Sequence, residues 1–510
     1  MQLKYKSLDN KSSFRGDRFP EPSTEQTVGS RIRFRTGFSF FLTMMAVLLM
    51  LFQASCKKLV AVDPPVTSTS GANVFNNDAT AAAVLTGIYT NMSSSGFAFG
   101  GITSMSLFPG LSADELMLYS GSTNNTYIGY YTNALTNSNT GNSDFWSNIY
   151  PTIFVVNSAI EGLANVTSLT PAVKQQLTGE AKFMRAFCYF YLVNLYGDVP
   201  LVTSTDYTVN AVLSRTPQAQ VWQQIIKDLK DAQSLLSTSY VDATLLNTTT
   251  ERVRPTEWAA TALLARTYLY TGDWVDAEAQ ANSVINNTGT YSLVNDLNSI
   301  FLANSTEAIW QLQPVNGGQN TQDAILFILP ASGPNNFNFP IYLNSNLLNS
   351  FEAGDQRRTN WVDSVIVGST TYYYPFKYKV NIYGAPVIEY EMVLRLGEQY
   401  LIRAEARAQQ SNTSNAASDL NMIRTRAGLA NTTATSQSDL LTAIQHERQV
   451  ELFTEWGHRW LDLKRTGTED VLMSVVTPQK GGSWNTNWQW YPIQLLQLQH
   501  APNLVQNAGY

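Results

Sequence analysis

The chain has 510 residues, 33 Lys and Arg against 39 Asp and Glu, and a formal charge of −6. Charged residues are 14% of the total, where about 25% is usual, so the surface is expected to be largely neutral and polar. No basic run follows Lys58, which argues against nucleic acid, because that binding rests on phosphate neutralisation by Lys and Arg.

The first feature along the chain is an export signal. The cationic cluster Arg31, Arg33 and Arg35 precedes an uncharged apolar stretch from Gly37 to Phe52, and the small residues Ala54 and Ser55 stand before Cys56. That order is a secretory signal, with a long polar n-region, ending at residue 55. Cleavage there leaves Cys56 as the first mature residue, placed for thioether linkage to a lipid. A transmembrane anchor would need about 20 apolar residues, and this run is shorter and stops at Gln53. Residues 56–75, with Pro64, Pro65 and a Ser/Thr-rich stretch, read as a lipidated tether. A single folded domain is expected over 76–510.

Helices dominate that domain. From Phe145 the residues Trp146, Ile149, Ile153, Val156, Ile160 and Leu163 recur at three- and four-residue steps, one buried helix face. Thr170 and Pro171 open a second helix that continues to Leu195 and stops at Gly197 and Pro200, about 39 Å long. Cys188 falls on its apolar pattern and reads as a small core residue; with Cys56 acylated, no disulfide is available. A hairpin spans Thr256 to Asn286, with Gly272 at the turn and Ala262, Ala265, Ala277 and Ala281 on the packing faces, in the manner of a tetratricopeptide unit. A second hairpin, Tyr400 to Ala427, superposes on it: Ala404 matches Ala265, Ala416 matches Ala277, Ile423 matches Val284, and Ser411 replaces the turn Gly.

Between the hairpins, from about 288 to 395, the helical period is lost and strand-like runs such as Glu307 to Val315 and Thr371 to Val380 stand among Gly, Pro and Asn clusters. A last helix is expected from Asp439 to Trp456, ended by Gly457, before a Trp-containing tail at 466–510. The fold class is thus mostly α: a helical scaffold over 140–290 and 396–465 with a loop-rich insertion at 290–395 containing short strands.

The charges Glu447, Arg448, Glu451, Glu455, Arg459 and Asp462 could suggest a glycosidase carboxylate pair. Their spacing fits an ion-pair ladder along one helix better. Asp114 and Glu115 read as capping or salt-bridging groups rather than cation ligands. The histidines His446, His458 and His500 have no paired ligand spacing. No catalytic residue, metal site or cofactor is expected.

Four segments stand in order: Cys56 with its signal; GEAKFMRAFCYFYLVNLYGDVPLV from Gly179; AIQHERQVELFTEWGHRWLDLKRTG from Ala443; and YPIQLLQLQHAPNLVQNAGY from Tyr491. Together with Ser112-Ala113-Asp114-Glu115 and LGEQYLIRAEA from Leu396, they make the chain resemble the SusD/RagB family of outer-membrane nutrient-binding lipoproteins. The resemblance implies four tetratricopeptide-like helix pairs with a ligand site in the loops. It implies a lipid-anchored position at the cell surface, a TonB-dependent SusC-like transporter as partner, and a glycan or peptide ligand that is bound and not cleaved. A sugar offers an apolar face for stacking and hydroxyls for amides. Aromatic and amide residues meet that need in two regions, which nominates Asn125, Tyr127, Tyr130, Phe337, Trp361 and Tyr383 as ligand contacts. The competing readings are a tetratricopeptide-like adaptor without a small ligand and a lipoprotein glycosidase.

Overall fold

The computed structural model describes residues 74–94, 105–140 and 145–510. The signal segment, Cys56 and nearly all of the tether therefore lie outside the described residues.

The scaffold is a succession of helices: α1 (Asp78–Ser94), α2 (Leu107–Ser112), α3 (Asn125–Tyr131), α4 (Phe145–Ala164), α5 (Pro171–Tyr196), α6 (Gln218–Leu235), α7 (Glu257–Thr271) and α8 (Trp274–Ile285). After the insertion come α9 (Leu396–Gln409), α10 (Thr413–Arg426), α11 (Gln437–Glu451), α12 (His458–Arg465) and α13 (Glu469–Gln479). Among these, α4 lies on α5, α5 on α6, α6 on α7 and α7 on α8, and α8 then packs on α9, which carries α10 and α11. Both expected hairpins form. Gly272 takes φ +76°, and Ser411, at the matching turn, takes φ +62° without being Gly. The Ala residues at the matched positions are fully buried, so the helix backbones approach closely where a larger side chain would hold them apart.

Helix α6 lies outside the elements read from the sequence, although Val221, Ile225, Leu229 and Ala232 form its buried stripe. The insertion is less irregular than expected. Its strands, with one from before the scaffold's long helices, form three antiparallel pairs: β1 (Leu116–Leu118) with β3 (Ile341–Leu343), β2 (Ala308–Leu312) with β6 (Glu391–Arg395), and β4 (Val362–Val367) with β5 (Thr370–Pro375). Short helices at Gln322–Phe327, Ser345–Ser350 and Gln356–Asn360 stand between them.

The helix expected to run from Asp439 to Trp456 ends instead at Glu451. Thr454, Trp456 and Gly457 take φ of +52°, +48° and +73°, a left-handed turn that no helix continues through. The turn is held from outside: Trp456 Nε1–H donates to Met392 O at 2.7 Å and Lys377 Nζ donates to Phe453 O at 2.8 Å.

The charges around that turn are not the ladder the spacing suggested. Most of them reach to a distant element. Arg357 pairs with Asp355 (2.8 Å), Glu447 (2.6 Å) and Glu451 (2.9 Å), and Arg395 with Glu451 (2.6 Å) and Glu455 (2.7 Å). Arg448 pairs with Asp462 at 2.8 Å and Arg459 with Asp114 at 2.8 Å. Arg266 on α7 makes a two-pronged contact, 2.6 Å on each prong, with Glu398 on α9. These groups are buried, and the surrounding guanidinium groups hold the Glu451 carboxyl well below the usual range against the opposing effect of burial. Much of the small charge complement is therefore spent on tying elements together inside the protein.

Candidate functional site

The β1–β3 pair is half-buried in alternation. Leu116, Leu118, Ile341 and Leu343 face the core, and Met117, paired in register with Tyr342, faces outward. Around that outward pair the half-exposed rings of Tyr342 and Tyr372 assemble over the buried ring of Tyr131. Tyr131 O–H donates to Met117 Sδ at 3.3 Å, and the Tyr342 ring meets Tyr372 of β5 edge-on, centroids 5.1 Å apart. The edge-on pair is an arrangement that aromatic quadrupoles favour, and the thioether is a weak acceptor. Burial pushes the Tyr131 hydroxyl up to about 12, so it stays a neutral donor.

Two loops flank these rings and are bonded to each other. Thr123 N–H donates to Asn336 Oδ1 at 2.8 Å, and Tyr119 N–H donates to Pro340 O at 2.6 Å. In the first loop Asn124 caps α3 by accepting from Thr126 and Tyr127 N–H. The Tyr119 ring lies so close over Gly121 that a Cβ there would meet it at 2.6 Å. In the second loop, Asn335 Oδ1 accepts from Phe337 N–H (2.9 Å) and Asn338 N–H (3.0 Å), and its own N–H donates to Phe339 O (2.9 Å). This Asx turn lifts Phe337 clear of the protein, leaving it 84% exposed.

The six nominated residues separate by burial. Asn125 is exposed at the start of α3, in the segment joined to the Phe337 loop through Thr123 and Asn336, so the structure brings these two together. Tyr383 is 78% exposed but stands on a different loop pair, against Gly318, with Gly384 N–H donating to Gly318 O at 2.8 Å. The other three pack in the core. Tyr130 stacks on Phe108 with centroids 4.2 Å apart, and Tyr127 meets the same ring edge-on at 5.9 Å. Trp361 is fully buried; its Nε1–H donates to Leu297 O at 2.9 Å and its ring faces Lys377 Nζ at 4.9 Å. Tyr372 and Phe339 were not singled out from the sequence. The alternation of amide and aromatic in Asn335-Asn336-Phe337-Asn338-Phe339 was the available signal.

A separate cleft of about 300 Å³ lies between α1, residues 241–254 and the end of β2, lined by Tyr89, Val241, Glu251, Arg254, Leu312 and Val315. Two of its polar side chains are engaged: Arg254 bonds Glu180 and Thr86, and Asp242 bonds Thr244 and Asn247. The aromatic face over β1 and β3 instead presents exposed ring surface, with side-chain amides beside it. Asp114, the carboxylate nearest a glycosidase reading, is held in two contacts by Arg459. Among the described residues no cluster of His, Cys, Asp and Glu is grouped as a metal site. No helix among them is long and apolar enough to cross a membrane.

Comparison with known proteins gives one consistent family. A family described as "Starch-binding associating with outer membrane" matches residues 65–269, and the SusD family matches residues 357–510. A SusD-like protein of Formosa agariphila is 25% identical over 434 residues, covering 72% of this chain and 80% of its own. A SusD superfamily structure from Bacteroides vulgatus superposes with a TM-score of 0.73 at 21% identity, over 85% of this chain and 99% of the other. A laminarin-binding SusD-like protein gives a TM-score of 0.70 at 25% identity, over 85% and 100%. The mostly helical architecture, the order of the motifs and these matches place the chain in the SusD/RagB family.

Proposed function

We propose that the protein is a lipid-anchored outer-membrane component, exposed at the cell surface, that captures a glycan and passes it uncleaved to a TonB-dependent SusC-like transporter. The observation that carries the reading is the outward face over β1 and β3, where Tyr119, Tyr342, Tyr372 and Phe337 present rings beside Asn125 and Asn336. A pyranose stacks its apolar face on such rings, and side-chain amides both donate to and accept from its hydroxyls. The laminarin-binding relative of the same fold supports a glycan over a peptide. Asn125 and Phe337 act as direct contacts and Tyr383 as a rim residue, while Tyr127, Tyr130 and Trp361 hold the loops from beneath.

The engagement of three carboxylates supports binding without cleavage. A glycosidase needs one carboxyl free to donate a proton and another free to attack or activate water. Here Asp114, Glu451 and Glu455 are each locked onto Arg or Lys. Lipidation at Cys56 supplies the anchor and residues 56–75 the slack to lie over a transporter. Isothermal calorimetry of the full chain in detergent against oligosaccharides and peptides tests the reading. Heat from a glycan, lost on Phe337→Ala and with the glycan recovered intact, is the expected result. Turnover abolished by Asp114→Ala or Glu451→Ala would establish a hydrolase in its place.

A further inference from the structure

The segments that build the aromatic face are almost free of charge. Residues 116–140, which run through β1 and α3, contain no Asp, Glu, Lys or Arg, and neither do residues 329–343, which carry the Phe337 loop and β3. The β4–β5 hairpin, residues 362–375, contains one charged residue, Asp363. Its place is informative. Asp363 pairs in register with Tyr374, and Val365 pairs with Tyr372, so by the two-residue alternation of strands Asp363 shares a face of the hairpin with Tyr372. Its carboxylate is exposed and accepts the Tyr374 hydroxyl at 3.0 Å.

Three cations on or behind the elements of this face are engaged by other groups. Arg358 stacks on the ring of Tyr373, 4.6 Å from its centroid, and Tyr373 projects from the hairpin opposite to Tyr372. Lys480 is buried behind Tyr131, 5.3 Å from that ring, and its ammonium is filled by the carbonyls of Leu111, Ser112 and Ala113. Arg459, on the same side of the core, is bound in two contacts to Asp114.

We infer that the ligand class of this face is an uncharged polysaccharide, and that the face discriminates against glycans bearing uronate or sulfate groups. This assignment rests on the glycan-binding reading and narrows it. A carboxylate or sulfate brought against the face would lose hydration without gaining an Arg or Lys partner, and would approach the carboxylate of Asp363 besides. Like-charge juxtaposition at an interface is a working device of specificity. A neutral chain meets no such cost, since its hydroxyls find Asn125, Asn335, Asn336 and Asn338 and its ring faces find Tyr342, Tyr372 and Phe337. Binding without a charge pair also has a signature: screening by salt has nothing to act on.

The test uses the full chain in detergent and calorimetry against neutral polysaccharides (β-glucans, α-glucans, mannans and xylans) and against polygalacturonate, alginate and a sulfated galactan. Each neutral polymer that binds is then carboxymethylated and measured again. Expected are binding confined to neutral polymers, an affinity unchanged between about 0.05 and about 0.5 M salt, and a loss of about tenfold or more on carboxymethylation. The Asp363→Asn variant, which keeps an acceptor for Tyr374, should recover part of that loss while leaving the neutral affinity as it was. Preference for an anionic polymer, with affinity falling as salt rises, would overturn the inference and leave the glycan reading standing. Silence toward both classes would overturn both.

Discussion

Two of the nominated aromatics, Phe337 and Trp361, carry opposite expectations. Phe337 is held out on an Asx turn with nearly all of its ring in solvent, so truncation removes no packing. Trp361 has no exposed surface, hydrogen-bonds Leu297 O and touches Phe301, Phe453 and Lys377. Trp361→Ala is expected to cost about 3–5 kcal/mol of stability, read in urea melts. Phe337→Ala should leave the melt unchanged and weaken glycan binding about tenfold, the loss of one stacked ring at about 0.5–1.5 kcal/mol plus its buried area. A second residue-scale expectation concerns Arg266. Replacing it by Ala strands the Glu398 carboxylate, which is buried beside His458 at 3.9 Å. An unpaired buried charge costs about 3–5 kcal/mol, whereas exchanging both partners for apolar residues of similar volume is often neutral. The urea midpoint of Arg266→Ala should therefore fall steeply, and that of Arg266→Met with Glu398→Leu should return most of the way.

At the scale of elements, the left-handed turn after α11 joins the site region to the scaffold through Glu115, whose Oε1 accepts from Thr454 N–H at 3.3 Å. Burial, with Asp114 beside it, pushes the Glu115 carboxyl up to about 8, while an unfolded Glu titrates near about 4.3. Between those values the folded chain holds a proton the unfolded chain has released, so this group makes stability fall as pH rises through the window. Glu115→Gln should remove that slope, giving a higher urea midpoint than wild type at pH of about 8 and little difference at about 5. The opposite trend, above about 7, belongs to Lys480, whose ammonium burial pulls down to about 7. This same turn shows what the sequence could and could not reveal. Long apolar stripes such as that of α5, and the Ala pattern of the α7–α8 hairpin, are local periodicities and were legible. The stop at Glu451 was not, because Thr454 and Trp456 are bent by Met392 and Lys377, residues far away in the chain. The candidate site divides the same way. Its composition, rings among amides, could be read directly, but whether a ring points out, as Phe337 does, or in, as Trp361 does, is decided by packing between segments that meet only in the fold. Tyr342 and Tyr372 needed the strand register to be seen as neighbours.

For the whole molecule, the division of charge is the organising fact. Buried Arg–carboxylate pairs such as Arg266–Glu398 and Arg357–Glu447 join helices and insertion, and the face proposed to meet the glycan is left neutral, so stability and recognition draw on different residues. Anchoring is proposed to be separable in the same way, through a lipid on Cys56, which lies outside the described residues. In the proposed anchor a diacylglycerol thioether contributes about 0.8 kcal/mol per buried CH₂, so attachment would rest on the lipid chains rather than on any helix. Cys56→Ala is therefore expected to move the protein from the membrane fraction to the soluble fraction while its urea midpoint and its glycan affinity stay at the wild-type values. Fractionation followed by calorimetry reads all three quantities on one preparation. Retention of Cys56→Ala in carbonate-washed membranes would show that an uncleaved apolar segment, and not the lipid, holds the chain, and would remove the basis for a flexible tether over a transporter.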